Sequence, residues 1–132
     1  MNENSIEEFI RAFDDAWGRN DVDAAVALFT EDATLESPLV IHLLHRKDGV
    51  LHGRDEIRPL VAALMERGTS WGSHEAPLVR GNMIAIEFRT PASQGGEFFS
   101  VDIIELRNGK IKSLRAYTGW RAQMATRHDG AR

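Results

Sequence analysis

Hydrophobic residues recur with a helical period in three stretches of the chain, which predict three amphipathic helices. The first is predicted to begin at a capping box with Ser5 at its N-cap and to end at Gly18. The second is short and is predicted to begin at a capping aspartate, Asp21. The third is predicted to have Asp55 as its N-cap and Gly68 as the residue that ends it. Each helix has one apolar face and therefore needs a second layer to cover it.

The remaining apolar stretches alternate or run continuously, as β-strands do. Asp32–Ser37 is predicted to be a strand that ends or bends at Pro38. The apolar segment Leu39–His52 is predicted to be a hairpin that turns at Asp48-Gly49. Three further β segments are predicted after the third helix: Ser70–Val79, Asn82–Thr90 after a turn at Arg80-Gly81, and a hairpin over Phe98–Trp120.

The last hairpin carries a carboxylate, Asp102, in its most apolar part. A two-residue turn at Asn108-Gly109 would place Asp102 opposite Arg115, and the ion pair would lower the pKa of the carboxyl. A three-residue loop with Gly109 as a bulge would instead face Asp102 toward Leu114. Desolvation would then raise the pKa and make the group a general acid or hydrogen-bond donor. The sequence leaves both registers open.

The order of elements predicts an α+β domain with helices packed on one face of a curved sheet. The strand Phe98–Leu106 is apolar on both faces, and helices on one side can cover only one of them. The outer sheet face is therefore predicted to meet a second copy in a two-fold homodimer.

Length and composition fit one globular domain over residues 1–132, with a core at about 5–121 and a polar tail at 122–132 that is expected to fray. The net charge of −4 argues against nucleic acid as a partner. The chain has no cysteine, which excludes disulfides and thiolate sites. No apolar run approaches the ~20 residues needed to cross a bilayer, so we expect a cytoplasmic protein without membrane contact.

Short motifs at the junctions between elements carry a resemblance to a known family. They are Trp17, Asn20-Asp21, Leu28 to Pro38, His52 to Ile57, Val101-Asp102, Asn108 to Ile111 and Ala116-Tyr117. With these motifs the sequence resembles the nuclear transport factor 2-like superfamily, in particular its SnoaL-like and ketosteroid-isomerase-like branch. The resemblance implies a cystatin-like roll: a cone in which three helices close a strongly bent, mostly antiparallel sheet around an apolar pocket, often in a dimer.

The same resemblance implies which residues would do chemistry. Asp102 matches the protonated aspartate that ketosteroid isomerase uses to bind an enolate oxygen. The position of the isomerase base is occupied by Ser37, and that of its tyrosine by Phe13. The chain is therefore predicted not to be a standard ketosteroid isomerase. Polyketide cyclases of the SnoaL type imply a simpler arrangement, with one principal Asp acid/base and neither metal nor cofactor.

We take Asp102 as the principal catalytic candidate, with Ser37, His42 or His74 as helpers. The alternative for His74 is an ordinary sheet residue. His42 together with a cross-strand pair of His45 and His52 could bind a metal, but their spacing fits no strong metal motif, and we predict none. The implied ligand pocket is lined by Phe13, Trp17, Leu35, Val61, Phe88, Ile104, Leu114, Ala116 and Thr118.

The function predicted from these residues is a small cofactor-independent enzyme that acts by proton transfer on an apolar, carbonyl-containing small molecule. The reaction would be an isomerisation, a cyclisation or a dehydration. The alternative is a non-catalytic ligand-binding or dimerisation module of the same fold, since fold alone does not fix function.

Overall fold

The structure is a computed structural model that describes residues 3–67, 73–91, 96–121 and 124. This part of the chain forms four helices and seven strands. The helices are α1 (Glu3–Gly18), α2 (Val22–Ala27), α3 (Pro38–Leu44) and α4 (Gly53–Glu66). The strands are β1 (Phe29–Glu36), β2 (Val50–His52), β3 (Ser73–His74), β4 (Leu78–Arg80), β5 (Met83–Pro91), β6 (Glu97–Arg107) and β7 (Lys110–Thr118). None of these helices is both long and apolar enough to cross a membrane.

All the strands belong to one sheet, in the order β2-β1-β7-β6-β5-β3, with β4 also paired to β5. Because β3 and β4 pair with different parts of β5, they share one edge and the sheet has six strand positions. The pairing of β1 with β7 is parallel and every other pairing is antiparallel. The predicted α+β class with a mostly antiparallel sheet is confirmed.

The core lies between one face of this sheet and the apolar faces of the helices. From α1 it receives Ile6, Phe9 and Phe13, and from α4 it receives Ile57, Leu60, Val61 and Met65. The sheet supplies Ile84, Ile86, Ile104, Leu106 and Ile111, none of them more than 1% exposed. The helical and strand periodicities of the sequence therefore converge on one buried layer.

The predicted starts of the helices hold in one case and fail in two. Asp21 caps α2 as predicted, because its Oδ1 accepts a hydrogen bond from the N–H of Ala24 at 3.0 Å. Ser5 is not an N-cap, since α1 already includes Glu3. The predicted stop at Gly68 lies outside the described residues.

Asp55 is not the N-cap of α4 either, because the helix begins two residues earlier at Gly53. Two contacts hold this earlier first turn. The carboxylate of Glu56 accepts a hydrogen bond from the N–H of His52 at 2.9 Å. The guanidinium of Arg54 donates to the Phe29 carbonyl of β1, with contacts at 2.9 and 2.6 Å.

The predicted hairpin over Leu39–His52 was wrong, since its first half is the helix α3. Pro38 occupies the first turn of this helix, where its missing N–H costs least. The Ser37 hydroxyl caps the helix by accepting a hydrogen bond from the N–H of Leu39 at 3.2 Å. The strand β2 then pairs with β1 instead of with a hairpin partner.

The later strands follow the prediction with local differences. The segment predicted as Ser70–Val79 contains β3 and β4 with a break between them, and residues 70–72 lie outside the described part. The turn before β5 falls at Gly81-Asn82, one residue later than predicted, because Arg80 pairs with Met83. Most of the tail, 122–123 and 125–132, also lies outside the described residues.

Candidate functional site

The register between β6 and β7 decides what Asp102 faces. The turn has two residues, Asn108 and Gly109, with φ angles of 53° and 79°, as a tight hairpin turn requires. The register then shifts by one, because Leu106 pairs with Ile111 but Glu105 pairs with Ser113. Lys112 is thus an extra residue on β7 and forms a β-bulge, four residues after Asn108.

This bulge places Ala116 directly opposite Asp102. Both predicted registers were therefore wrong, since Asp102 faces neither Arg115 nor Leu114. Arg115 pairs instead with Ile103 on the outer side of the sheet, where its Nε donates to the hydroxyl of Tyr117 at 3.3 Å. The carboxylate has no cationic partner across the hairpin.

Asp102 lies in apolar surroundings, with Ile86 on one neighbouring strand and Ala116 on the other. Its exposed fraction is 8%. Burial raises the pKa of the carboxyl from its ordinary value of 3.8 to about 7, because desolvation disfavours the charged form. No hydrogen bond or charge within the described residues offsets this effect. The group is therefore neutral and ionised in similar amounts near neutral pH.

Asp102 lines a cavity of about 180 Å³ between the sheet and helices α1, α3 and α4. This is an order of magnitude more than the ~10–15 Å³ that one water molecule needs, measured in the same way. Eight of the nine predicted pocket residues line it: Phe13, Trp17, Leu35, Val61, Phe88, Leu114, Ala116 and Thr118. Ile104 does not line it, because its side chain is fully buried in the core.

Four apolar lining residues were missed by the sequence reasoning: Phe29, Leu39, Leu60 and Leu64. Leu60 and Leu64 lie on the same face of α4 as Val61, so helical spacing carried the signal that would have found them. Leu39 was assigned to a strand, which hid its position on α3.

Besides the indole of Trp17, the polar side chains among the described lining residues are Asp102 and four hydroxyl residues, namely Ser37, Thr90, Ser100 and Thr118. Ser37 is 5% exposed, and its Oγ accepts from the N–H of Leu39, so its own O–H is left to donate. Thr90 and Ser100 were not predicted, although strand alternation places Ser100 on the same face as Asp102. Asp102 is the one titratable side chain among the described lining residues.

The two histidine candidates do not line the cavity. His42 lies half-buried on α3. His74 packs against Phe88, which lines the cavity, with the two rings edge to face and their centroids 5.4 Å apart. Its Nε2 is 3.0 Å from both carboxylate oxygens of Asp14 on α1.

The surroundings of His74 act on its pKa in opposite directions. Burial lowers the pKa, but the Glu75 carbonyl, 2.9 Å from Nδ1, and the Asp14 carboxylate raise it by more. The net effect is a raised pKa. His74 therefore ties the sheet edge to α1 and has no direct approach to a molecule in the cavity.

His42, His45 and His52 do not come together as a metal site in the described part of the chain. His42 is on α3 and His45 ends that helix in a left-handed conformation, so no hairpin pairs His45 with His52. Across the described ranges, no three His, Cys, Asp or Glu side chains converge closely enough to hold a metal ion.

Solved structures with similar folds come from several sources. A SnoaL-like protein of unknown function from Burkholderia thailandensis superposes with a TM-score of 0.75 at 17% identity, covering 89% of this chain and 97% of that one. A nuclear transport factor 2-like protein of unknown function from Mesorhizobium loti gives 0.69 at 22% identity, with coverages of 88% and 92%. A de novo designed protein with a curved β-sheet gives 0.73 at 16% identity, with coverages of 98% and 97%. At these identities the similarity shows the fold alone.

Sequence comparison gives the family. No functionally curated protein matches the chain. The sequence profile described as "SnoaL-like domain" matches residues 10–114, which include α2, all of β1 and β6, and the Asp102 position. Because this match covers most of the chain, the resemblance drawn from its junction motifs is confirmed, and the protein belongs to the SnoaL-like domain family of the nuclear transport factor 2-like superfamily.

Proposed function

We propose that the cavity binds a small, largely apolar molecule with a carbonyl group, and that Asp102 exchanges a proton with it. The observation that carries this proposal is a carboxyl on an apolar cavity wall that has no hydrogen-bond or charge partner among the described residues, with a pKa raised to about 7. A general acid or base works best when its pKa is close to the working pH, because both protonation states are then accessible.

A single group of this kind can move a double bond. The carboxylate of Asp102 removes a proton from a carbon next to the carbonyl group, and the electron pair of that C–H bond passes into an enolate. The carboxylic acid so formed returns the proton to another carbon of the conjugated system, so atoms and charge balance. Because no second titratable side chain is found among the described lining residues, this one-residue isomerisation is the reaction we favour over cyclisation and dehydration.

The enolate oxygen needs a hydrogen-bond donor while it carries negative charge. Ser37 is suited to this role, because its Oγ already accepts from Leu39 and its O–H is left to donate. The helix cap also fixes the position of the hydroxyl. His42 and His74 are not part of the proposal, since neither lines the cavity.

The test uses methyl-octalone, an α,β-unsaturated ketone on two fused six-membered rings, in deuterated water. We expect the protein to catalyse deuterium incorporation next to the conjugated system, measured by NMR, with a rate that changes around pH 7. Asp102→Asn should lose at least about 100-fold of this rate, since general acid–base catalysis contributes that much or more.

Glu31→Gln is the matched control, because it also removes one carboxylate but from an exposed position on β1. Circular dichroism should show that both variants are folded. Equal exchange rates in the wild-type protein and in Asp102→Asn would reject the catalytic role.

The second candidate is a binding module without catalysis. It is favoured by the four hydroxyl residues, which supply hydrogen bonds but do not titrate near neutral pH. Equilibrium dialysis would support it if wild type and Asp102→Asn both bind methyl-octalone and neither accelerates exchange.

We also propose that the outer face of the sheet joins two copies of the chain. On this face Phe99 is 43% exposed and Tyr117 56%. Val101, opposite Tyr117, and Ile103, the next residue on the same face of β6, are half-buried. Large exposed apolar side chains grouped on one face are typical of interaction surfaces. Light scattering at micromolar concentration should give a dimer mass, and Phe99→Asp should shift it toward the monomer. A monomer mass for the wild-type protein would exclude this interface.

A further inference from the structure

The cavity wall formed by β5, β6 and β7 is built of rungs, each with one residue from each strand. Three consecutive rungs are Ile84–Ile104–Leu114, Ile86–Asp102–Ala116 and Phe88–Ser100–Thr118. Exposure along β6 rises in this order: Ile104 is 0% exposed, Asp102 is 8% exposed and Ser100 is half-buried. In the first rung Leu114 lines the cavity, whereas Ile84 and Ile104 are buried in the core and do not. We call the third rung, at the more exposed end of this part of β6, the outer rung.

The outer rung differs from the others in its hydroxyl groups. Ser100 and Thr118 are directly opposite one another, and both line the cavity. Thr90 also lines the cavity, two residues beyond Phe88 on the same face of β5. The hydroxyls of Ser100 and Thr90 make no hydrogen bond with the described part of the chain. Each of these two hydroxyls can therefore donate to a ligand and accept from it.

The distance between the outer rung and Asp102 follows from strand geometry. Ser100 and Asp102 are two residues apart on β6, in a segment where the register with both neighbours is continuous. At about 3.4 Å per residue, their side chains leave the sheet roughly 7 Å apart on the same face. A ligand whose carbonyl group meets Asp102 would need a second oxygen at a comparable distance to reach the hydroxyls.

We propose that Ser100 and Thr90, with Thr118 beside them, form a second polar subsite that selects ligands with two oxygen groups on an apolar skeleton. One oxygen belongs to the carbonyl group at Asp102, and the other is a ketone or hydroxyl group at the outer rung. The apolar skeleton between them packs against Phe13 and Leu64 across the cavity. This inference rests on the proposed function, because it takes the reacting carbonyl group to lie at Asp102.

A matched pair of probes tests the subsite directly. Methyl-octalone has one ketone, and its diketone analogue has the same fused rings with a second ketone on the other ring. We expect the wild-type protein to bind the diketone roughly 5- to 10-fold more tightly, as one or two neutral hydrogen bonds would give. The measurement is equilibrium dialysis of both compounds, which needs no turnover.

The variants separate a hydrogen-bonding role from a change of shape. The double variant Ser100→Ala with Thr90→Val should lose the preference for the diketone. Ser100→Thr retains a hydroxyl and should keep most of the preference. Ser113→Ala is the matched control, since it removes a hydroxyl from β7 at a position that does not line the cavity, and its preference should equal that of the wild-type protein.

Three outcomes would overturn the subsite: equal binding of both compounds by the wild-type protein, a preference that survives in the double variant, or binding of neither compound. The proposed function fails in a different way. A wild-type protein that prefers the diketone but exchanges deuterium into neither compound would retain the subsite and reject the proton transfer. Exchange without any preference would retain the proton transfer and reject the subsite.

Discussion

Replacing Asp102 by asparagine should remove a pH-dependent loss of stability. The pKa of this carboxyl rises from 3.8 to about 7 on folding because it is buried. At about 1.4 kcal/mol per pH unit, this difference corresponds to roughly 4 kcal/mol. This penalty is large beside the ~5–15 kcal/mol by which domains are stable.

The sign follows from which state holds the proton. Below about pH 4 the carboxyl is protonated in both the folded and the unfolded chain, and it imposes no penalty. Between pH 4 and 7 the unfolded chain releases the proton while the folded protein keeps it, so the free energy of unfolding falls as the pH rises. Above pH 7 both states are ionised and the penalty is constant. About half of it should be present near pH 5.5.

The assay is urea unfolding at intervals from pH 4 to 8 for the wild-type protein, Asp102→Asn and the control Glu31→Gln. The difference in unfolding free energy between wild type and Asp102→Asn should decrease by about 4 kcal/mol over this range. The asparagine amide shifts the whole curve by a constant amount, since it does not titrate. The difference between wild type and Glu31→Gln should not reproduce this decrease. A difference between wild type and Asp102→Asn that stays constant from pH 4 to 8 would refute the reasoning, because it would mean that folding does not raise the pKa of the Asp102 carboxyl.

Two further predictions concern residues beside the cavity. Ser37→Ala should lower the free energy of unfolding, measured in urea, by about 1 kcal/mol because it removes the cap of α3. Ser37→Asp should keep the cap. Equal losses of stability in the two variants would argue against capping. Asp14→Asn should lower the pKa of His74 in an NMR titration. Since the pKa of His74 is raised, the stability that the His74–Asp14 pair provides should be fully present below pH 6.5 and be lost as the pH rises through the raised value. If the titration of His74 is the same in Asp14→Asn, Asp14 does not act on the pKa of His74.

The long helices and the last hairpin were predictable because local pattern and tertiary packing agree there. The apolar spacing of α1 gives the face that is buried, and Asn108-Gly109 gives the two-residue turn that forms. The class of the fold and most of the cavity lining follow from these elements. The faces of β6 also follow, since alternation places Asp102 and Ile104 on the same side.

The helix α3 was not predictable from the same kind of pattern. The segment from Leu39 to Leu44 is almost continuously apolar, so it has neither a helical nor a strand period. Ser37 followed by Pro38 is a helix start as well as a strand end. The cap that Ser37 provides to Leu39 favours the helix, and with it the separate pairing of β2.

The bulge at Lys112 had no sequence signal, and yet it decides the chemistry of the site. With the observed two-residue turn and no bulge, Asp102 would stand opposite Arg115 on the inner face, and a buried ion pair would lower the pKa of the carboxyl. One inserted residue reverses the facing of every later side chain on β7, because the strand period is two. Arg115 is thereby turned to the outer face and Ala116 to the cavity. The apolar surroundings that raise the pKa of Asp102 to about 7 therefore depend on one irregular residue on the neighbouring strand, as much as on the burial of β6 itself.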